Sequence, residues 1–308
     1  MGSETIKLPM INFPDLEQET SSIPTWESLK NQVFFALQEF GGFEATFDQI
    51  PRNLRSSVIE GTSEFFKVPF RNKLRYKPRN PYHGYNFGHN SFAPLYESFG
   101  IDDPLVSGCI DSFANLMWSQ GNAGFSESIQ SFLAKLSGFD QIVRKMVLES
   151  LGLQKYIDEH IDSTDYLVKL QKYDPPESGE TELALSSHTD TNILTILYQD
   201  EVVGMEVMTK DGQWIPAQSS RDSFVVITGA CFQAWTNGRL HSPEHRVMMT
   251  GNATLYSLSL FSVPKEGYMI KTPEEMVDEE HPLLFKPFEY GKYVQFYNSL
   301  QGADPRYL

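Results

Sequence analysis

Two cysteines in 308 residues, Cys109 and Cys231, are too few for a disulfide framework and suit a reducing compartment. Basic residues are scarce as well: 25 Lys and Arg stand against 40 Asp and Glu, a formal net charge of −15. Nucleic acid and anionic membrane surfaces reward Lys and Arg, so neither is expected as a partner. No apolar run approaches the roughly 20 residues that cross a bilayer. The first residues hold no apolar leader core, and Ile6 stands where a myristoylation signal needs Ser or Thr. Gly-rich phosphate loops and Gly-x-Ser-x-Gly are missing, and neither cysteine has a neighbouring base, which removes the usual signs of nucleotide binding and nucleophilic catalysis. What is present is a 40 % hydrophobic, 13 % aromatic chain, enough to build a core. The expectation is a soluble, cytoplasmic, monomeric protein.

Along the chain, Ile6 to Phe13 is short, apolar and bounded by prolines, which predicts an edge strand. Thr25 is placed to cap a helix whose apolar residues Trp26, Leu29, Val33, Leu37 and Phe40 recur every three or four positions, and Gly41-Gly42 ends it. A second helix is predicted over about Leu54 to Phe66, and a long one from about Ser126 to Leu151. Between Lys67 and about Pro104 the periodicity vanishes, and Tyr82, Tyr85, Phe87, Phe92, Tyr96 and Phe99 crowd a stretch that reads as a loop, a lid or pocket wall. After Ser163 short β-forming runs follow one another: Tyr166–Tyr173, Leu183–Ser187, Leu194–Tyr198, Met205–Met208, Phe224–Thr228, His245–Thr250 and Leu255–Phe261. Asp211-Gly212 is a hairpin signal between two strands. The fold class is therefore mixed α/β (α+β), a helical N-terminal half packed on a two-sheet sandwich or barrel.

Among seven histidines, His83, His89, His160 and His281 read as surface residues without partners. His188-Thr189-Asp190 differs, because residues i and i+2 at a strand end point to one side, so an imidazole and a carboxylate can reach one metal. His245, at the start of a later β run, is the candidate third ligand. Two His and one carboxylate on one face make the facial arrangement of non-haem Fe(II) oxygenases. Taken alone, His-x-Asp also fits a strand-end pair making ordinary hydrogen bonds. A zincin-like pair of His241 and His245 is disfavoured, since Pro243 lies between them and position 242 is Ser, not Glu.

His188-Thr189-Asp190, Trp235-Thr236-Asn237-Gly238-Arg239 and His245-Arg246-Val247, with Tyr82-His83-Gly84-Tyr85, Leu95-Tyr96-Glu97-Ser98, Leu116-Met117-Trp118 and Val277 to Phe285, resemble the plant Fe(II)- and 2-oxoglutarate-dependent dioxygenases. The resemblance covers nearly the whole chain and points to the branch that includes the glucosinolate enzymes called AOP. It implies a double-stranded β-helix (jelly-roll) core over residues 161–308. Residues 1–160 then form an N-terminal helical region with the substrate-side loop, the two parts making one structural unit. It implies iron held by His188, Asp190 and His245, and co-substrate contacts from Tyr173 and Ser257, with Gln171 where Asn is usual. The substrate side is expected at Tyr85, Phe87, Met117, Trp118 and Phe261. The implied activity is O2-dependent hydroxylation, demethylation or desaturation of a small specialised metabolite.

Three positions depart from that family. Its Arg for the far carboxylate of 2-oxoglutarate stands ten residues after the distal His and two before a Ser; here Leu255 precedes Tyr256 and Ser257. Loss of a buried carboxylate's partner costs on the order of 3–5 kcal/mol. Gly229-Ala230 replaces Gly-Asp, and Thr191 follows His-Thr-Asp where Lys is frequent. Lys172 neighbours Tyr173 but should point to the other sheet face, so no replacement cation is expected. The departures leave two further readings beside the oxygenase: a 2-oxoglutarate-independent cyclisation, isomerisation or lyase reaction, and non-catalytic binding in an inherited pocket.

Overall fold

The computed structural model describes residues 6–14, 23–80, 83–199, 201–217 and 220–299, without the side chains of 23–25. The expected edge strand is β1 (Met10–Phe13), parallel to β2 (Gly42–Phe47) at one end of the large sheet. Between them α1 (Ile23–Glu39) starts two residues before Thr25, whose capping role falls outside the described side chains. It buries Leu29, Val33 and Leu37, and the chain turns at Gly41 with φ +71°, a conformation that favours glycine. Next come α2 (Arg52–Phe66), α3 (Phe70–Lys73), β3 (Gly84–Asn86), β4 (Tyr96–Asp102) and α4 (Cys109–Met117). The long helix α5 (Ala123–Ser150) is capped by Asn122, whose side chain accepts from the Phe125 amide at 3.0 Å, and α6 (Ile157–Asp162) leads into the strands.

The second half runs β5 (Thr164–Tyr173), β6 (Glu182–His188), β7 (Leu194–Gln199), β8 (Met205–Met208), β9 (Trp214–Pro216), β10 (Ser223–Thr228), α7 (Ala230–Trp235), β11 (His245–Met249), β12 (Leu255–Pro264), β13 (Met269–Ile270), β14 (Phe288–Glu289) and α8 (Tyr290–Ser299). The large sheet has the order β1-β2-β10-β7-β12-β5-β4-β3, and the small one β6-β11-β8-β9. Asp211-Gly212 turns the β8–β9 hairpin, with Gly212 at φ +83°.

Strand alternation sorts the large sheet into two faces. Val168, Leu170, Leu258 and Leu260 pack with α2 and α5 in the main core. Their alternates turn inward: Lys169, Gln171 and Tyr173 on β5, and Leu255, Ser257, Ser259 and Phe261 on β12, line a cavity between the sheets. Apolar clusters close the sandwich around it, Leu197, Val225 and Ile227 against Met205, Val207 and Ile215, and Tyr173 and Leu255 against Ala184, Leu185, Val247 and Met249.

The stretch 67–104, expected as a loop, holds a fully buried strand, β4, paired with β5 and β3. Its Glu97 disguises it. Lys73 Nζ bonds Glu97 Oε1 at 2.7 Å and the Tyr85 hydroxyl donates to the same oxygen at 2.6 Å, so the charges are buried as a pair. Three histidines expected to lack partners have them. His83 is paired with Asp102 and lines the cavity, His160 is buried against Arg144, and the exposed His281 is 2.8 Å from Asp278 Oδ1.

Candidate metal centre and cavity

His188 ends β6, Asp190 follows in the turn to β7, and His245 opens β11 directly opposite His188 in the antiparallel register. One ligand atom from each lies within 4.8 Å of the other two. The ring centroids of the histidines are 4.3 Å apart, and His245 Nε2 is 3.9 Å from Asp190 Oδ1.

Each ligand is oriented by a neighbour, which is what a metal site needs beyond its donors. His188 Nδ1 sits 2.9 Å from the Ser186 carbonyl and His245 Nδ1 3.4 Å from the Pro243 carbonyl. A carbonyl only accepts, so Nδ1 carries the proton and Nε2 keeps its lone pair. Thr195 Oγ1 donates to Asp190 Oδ2 at 2.5 Å. Burial, and then the charge of His245, push His188 down to about 4. Burial pushes the Asp190 carboxyl up, but His245, His188, Thr195 and Lys169 outweigh it and hold the group below its ordinary value. The site therefore offers neutral imidazole and ionised carboxylate near neutrality, the forms that bind a divalent cation.

The turn carrying Asp190 is locked to α7. The Ala230 amide donates to the Asp190 carbonyl at 2.7 Å, and the Cys231 amide to the Asn192 carbonyl at 3.1 Å. Gly229 allows this approach, because a Cβ there would lie 2.0 Å from the Asn192 carbonyl oxygen. Ala230 thus fills its role through its backbone. Thr191 contacts the Tyr290 hydroxyl at 3.5 Å.

The three ligands line a cavity of about 300 Å³ that reaches along β5 and β12. Gln171 is the hub of its polar wall. Its Nε2 donates to the hydroxyls of Tyr173 at 3.2 Å and Tyr96 at 3.3 Å, and its Oε1 accepts from Ser259 at 2.5 Å and Ser257 at 3.4 Å. Leu255 is 1 % exposed and sits in the apolar cluster beside Tyr173. The three donors are of the types that suit iron; beside Leu255 the wall offers hydroxyls but no cation. Lys172 points away, bonded to Asp174 at 2.9 Å and 3.7 Å from Glu97.

Of the five residues expected on the substrate side, Phe261 lines the cavity and the others do not. Gly84 and Asn86 face it, so by alternation Tyr85 and Phe87 face away, Tyr85 to Glu97 and Phe87 to solvent. Met117 is buried in the helical core, and Trp118 packs on Phe125 at 5.0 Å between ring centroids. In their place the structure brings Phe92, Tyr96, Leu167, Lys169, Tyr290 and Tyr297 to the cavity. Lys169 could have been found by counting back in twos from Tyr173; Tyr290 and Tyr297, far along the chain, carry no local signal.

A two-sheet jelly roll presenting two imidazoles and one carboxylate on one face is the scaffold of a mononuclear non-haem iron site. Residues 153–264 match the 2OG-Fe(II) oxygenase superfamily, and residues 8–104 match the N-terminal family described as non-haem dioxygenase in morphine synthesis. Probable 2-oxoglutarate-dependent dioxygenase AOP1.2 of Arabidopsis thaliana is 45 % identical over 306 residues, spanning 97 % of this chain and 94 % of the relative. The 2-oxoglutarate-dependent dioxygenase AOP2 of the same plant is 30 % identical over 426 residues, covering 100 % of this chain and 98 % of its own. The crystal structure of a rice dioxygenase for auxin oxidation superposes with a TM-score of 0.80 at 25 % identity over 96 % of both chains. The chain belongs to the Fe(II)- and 2-oxoglutarate-dependent dioxygenase family, whose members use Fe(II), 2-oxoglutarate, O2 and a small-molecule substrate. No helix among the described residues is long and apolar enough to cross a membrane.

Proposed function

We propose that the protein oxidises a small, largely apolar plant metabolite by hydroxylation, demethylation or desaturation, with iron held by His188, Asp190 and His245. The convergence of these donors within 4.8 Å on the wall of a cavity between the sheets carries this reading. Bound there, Fe(II) with 2-oxoglutarate supplies the O2-dependent oxidising power. The chain's own part is to hold both Nε2 atoms and the Asp190 carboxylate in fixed directions, to exclude water with Leu167, Phe261, Val263 and Val294, and to keep a substrate beside the ligands. Kinship with the AOP proteins supports a substrate from specialised metabolism.

A reaction without 2-oxoglutarate is the second reading, and the buried Leu255 favours it. The two separate on one assay: a panel of plant metabolites incubated with Fe(II) and 2-oxoglutarate, with succinate and CO2 measured against product. The oxygenase forms succinate in step with product and stops when the metal is chelated. Product formed at the same rate without 2-oxoglutarate would establish the second reading instead.

A further inference from the structure

Lys169 is the one Lys or Arg among the residues lining the cavity. It lies on β5 two residues before Gln171 and four before Tyr173, facing Ser259 on β12 and Gly100 on β4. Among the described residues no carboxylate lies within ion-pair distance of it; its Nζ instead stands 5.0 Å from the centroid of the Phe261 ring. Every other buried or half-buried cation discussed here, Lys73, Lys172 and Arg144, has a carboxylate partner. A buried cation with no carboxylate partner costs stability unless something anionic meets it. Burial pushes its ammonium down, with the Asp190 charge acting against that.

Position separates Lys169 from the co-substrate cradle. Four residues of strand put its Cα about 13 Å from that of Tyr173, roughly twice the reach of a lysine side chain. A carboxylate held between Tyr173 and Leu255, which face each other across the two strands, is therefore out of its range. Around Lys169 the wall includes Leu167, Phe261 and Val263, which suit a ring or hydrocarbon body, beside the more polar Ser259 and His83.

We propose that the substrate is a carboxylic acid with an apolar ring or chain, its carboxylate paired with Lys169 and its body lying on Phe261 and Leu167. This rests on the cavity being the substrate site of the proposed oxygenase, and it names the substrate class. Lys169 is then a specificity-determining residue. An amide or ester of the same skeleton leaves the ammonium unpaired and is rejected, as sites built around a charge reject neutral analogues.

The test is calorimetric and needs no turnover. Full-length protein, loaded anaerobically with Mn(II) and 2-oxoglutarate, is titrated with phenylacetate, cyclohexylacetate and cinnamate, each against its methyl ester. At least one acid should bind about ten-fold or more tighter than its ester. Lys169→Met should erase that preference, Lys169→Arg should keep it, and affinity for 2-oxoglutarate should stay within about two-fold in both. Since Lys169→Met removes an unpaired cation at similar length, its thermal midpoint should hold or rise, so lost binding will not be lost folding. The proposal is overturned if no acid outbinds its ester or if Lys169→Met weakens acid and ester alike. It is also overturned if that variant loses 2-oxoglutarate while the acid preference survives, which would assign the cation to the co-substrate. Metal binding and succinate release do not depend on any of these outcomes, so failure here leaves the oxygenase reading standing on its own test.

Discussion

At Leu255, where the family resemblance expects an arginine for the co-substrate, the side chain is aliphatic and its surroundings have closed around it. Tyr173, Ala184, Leu185, Val247 and Met249 make an apolar cluster with it, while Ser257 and Ser259 both donate to Gln171 Oε1. Leu255→Arg should therefore tighten 2-oxoglutarate by about 1–3 kcal/mol, short of a full bidentate pair because the neighbours must repack. Anaerobic calorimetry on both variants with metal present reads this directly, and an unchanged affinity would mean that another group already holds the carboxylate. Thr195→Val tests the orientation of Asp190. Loss of the hydroxyl at 2.5 Å should weaken divalent metal binding by about 10- to 100-fold with little change in fold, measured by competition with a metallochromic chelator. The convergence of His188, Asp190 and His245 was legible in the sequence because the first two share one strand-end face and His245 opens a separate β run. The sequence concealed Lys169, because a lone lysine in a strand reads as solvent-facing until the inward parity of Tyr173 and Gln171 is extended to it.

At the scale of elements, the periodic helices and alternating strands were legible to within a few residues, as α5 and β8 illustrate. What escaped was structure whose stabilisation comes from distant partners. β4 carries Glu97 and Asp102 in seven buried residues, and partners brought in by the tertiary fold, Lys73, Tyr85 and Lys172 for the first and His83 and the Arg79 amide for the second, make those charges tolerable. Lys73→Met should cost about 3–5 kcal/mol in denaturant unfolding, and adding Glu97→Gln should recover a large part of it. The same dependence on tertiary contact misplaced Tyr85 and Phe87, whose outward parity follows from the pairing of β3 with β4. The junction of β7 with α7 makes a sharper test. Gly229→Ala places a methyl 2.0 Å from the Asn192 carbonyl oxygen and must push α7 away from the turn that carries Asp190. A stability loss of about 1–3 kcal/mol together with weakened metal uptake is expected. Normal metal affinity in that variant would show that the turn does not depend on α7.

For the whole molecule, the charge of −15 and the scarcity of cysteine bounded the partners, but neither describes how the interior treats charge. Histidines inside the fold favour the neutral form: half-buried His188 is pushed down to about 4, and burial followed by the Arg144 charge holds buried His160 well below its ordinary 6.5. Unfolding lets both take up protons at their ordinary value. The metal-free protein should therefore be fully stabilised by them above 6.5 and lose that stability progressively as the pH falls toward 4. Urea midpoints across this window check the slope, and His160→Gln should flatten it. A profile that is flat, or that rises toward acid, would contradict neutral burial.

The account turns on one assembly: two sheets folded so that β6, the turn before β7 and β11 aim three side chains at one point inside a cavity. Crystals grown anaerobically with Fe(II), and diffraction recorded on both sides of the iron absorption edge, test it most directly. The prediction is a single strong anomalous peak bonded to Nε2 of His188, Nε2 of His245 and the carboxylate of Asp190, and no peak there in His188→Ala crystals. A peak elsewhere, or none among these three side chains with metal supplied in excess, would contradict the assignment of this cavity as an iron site.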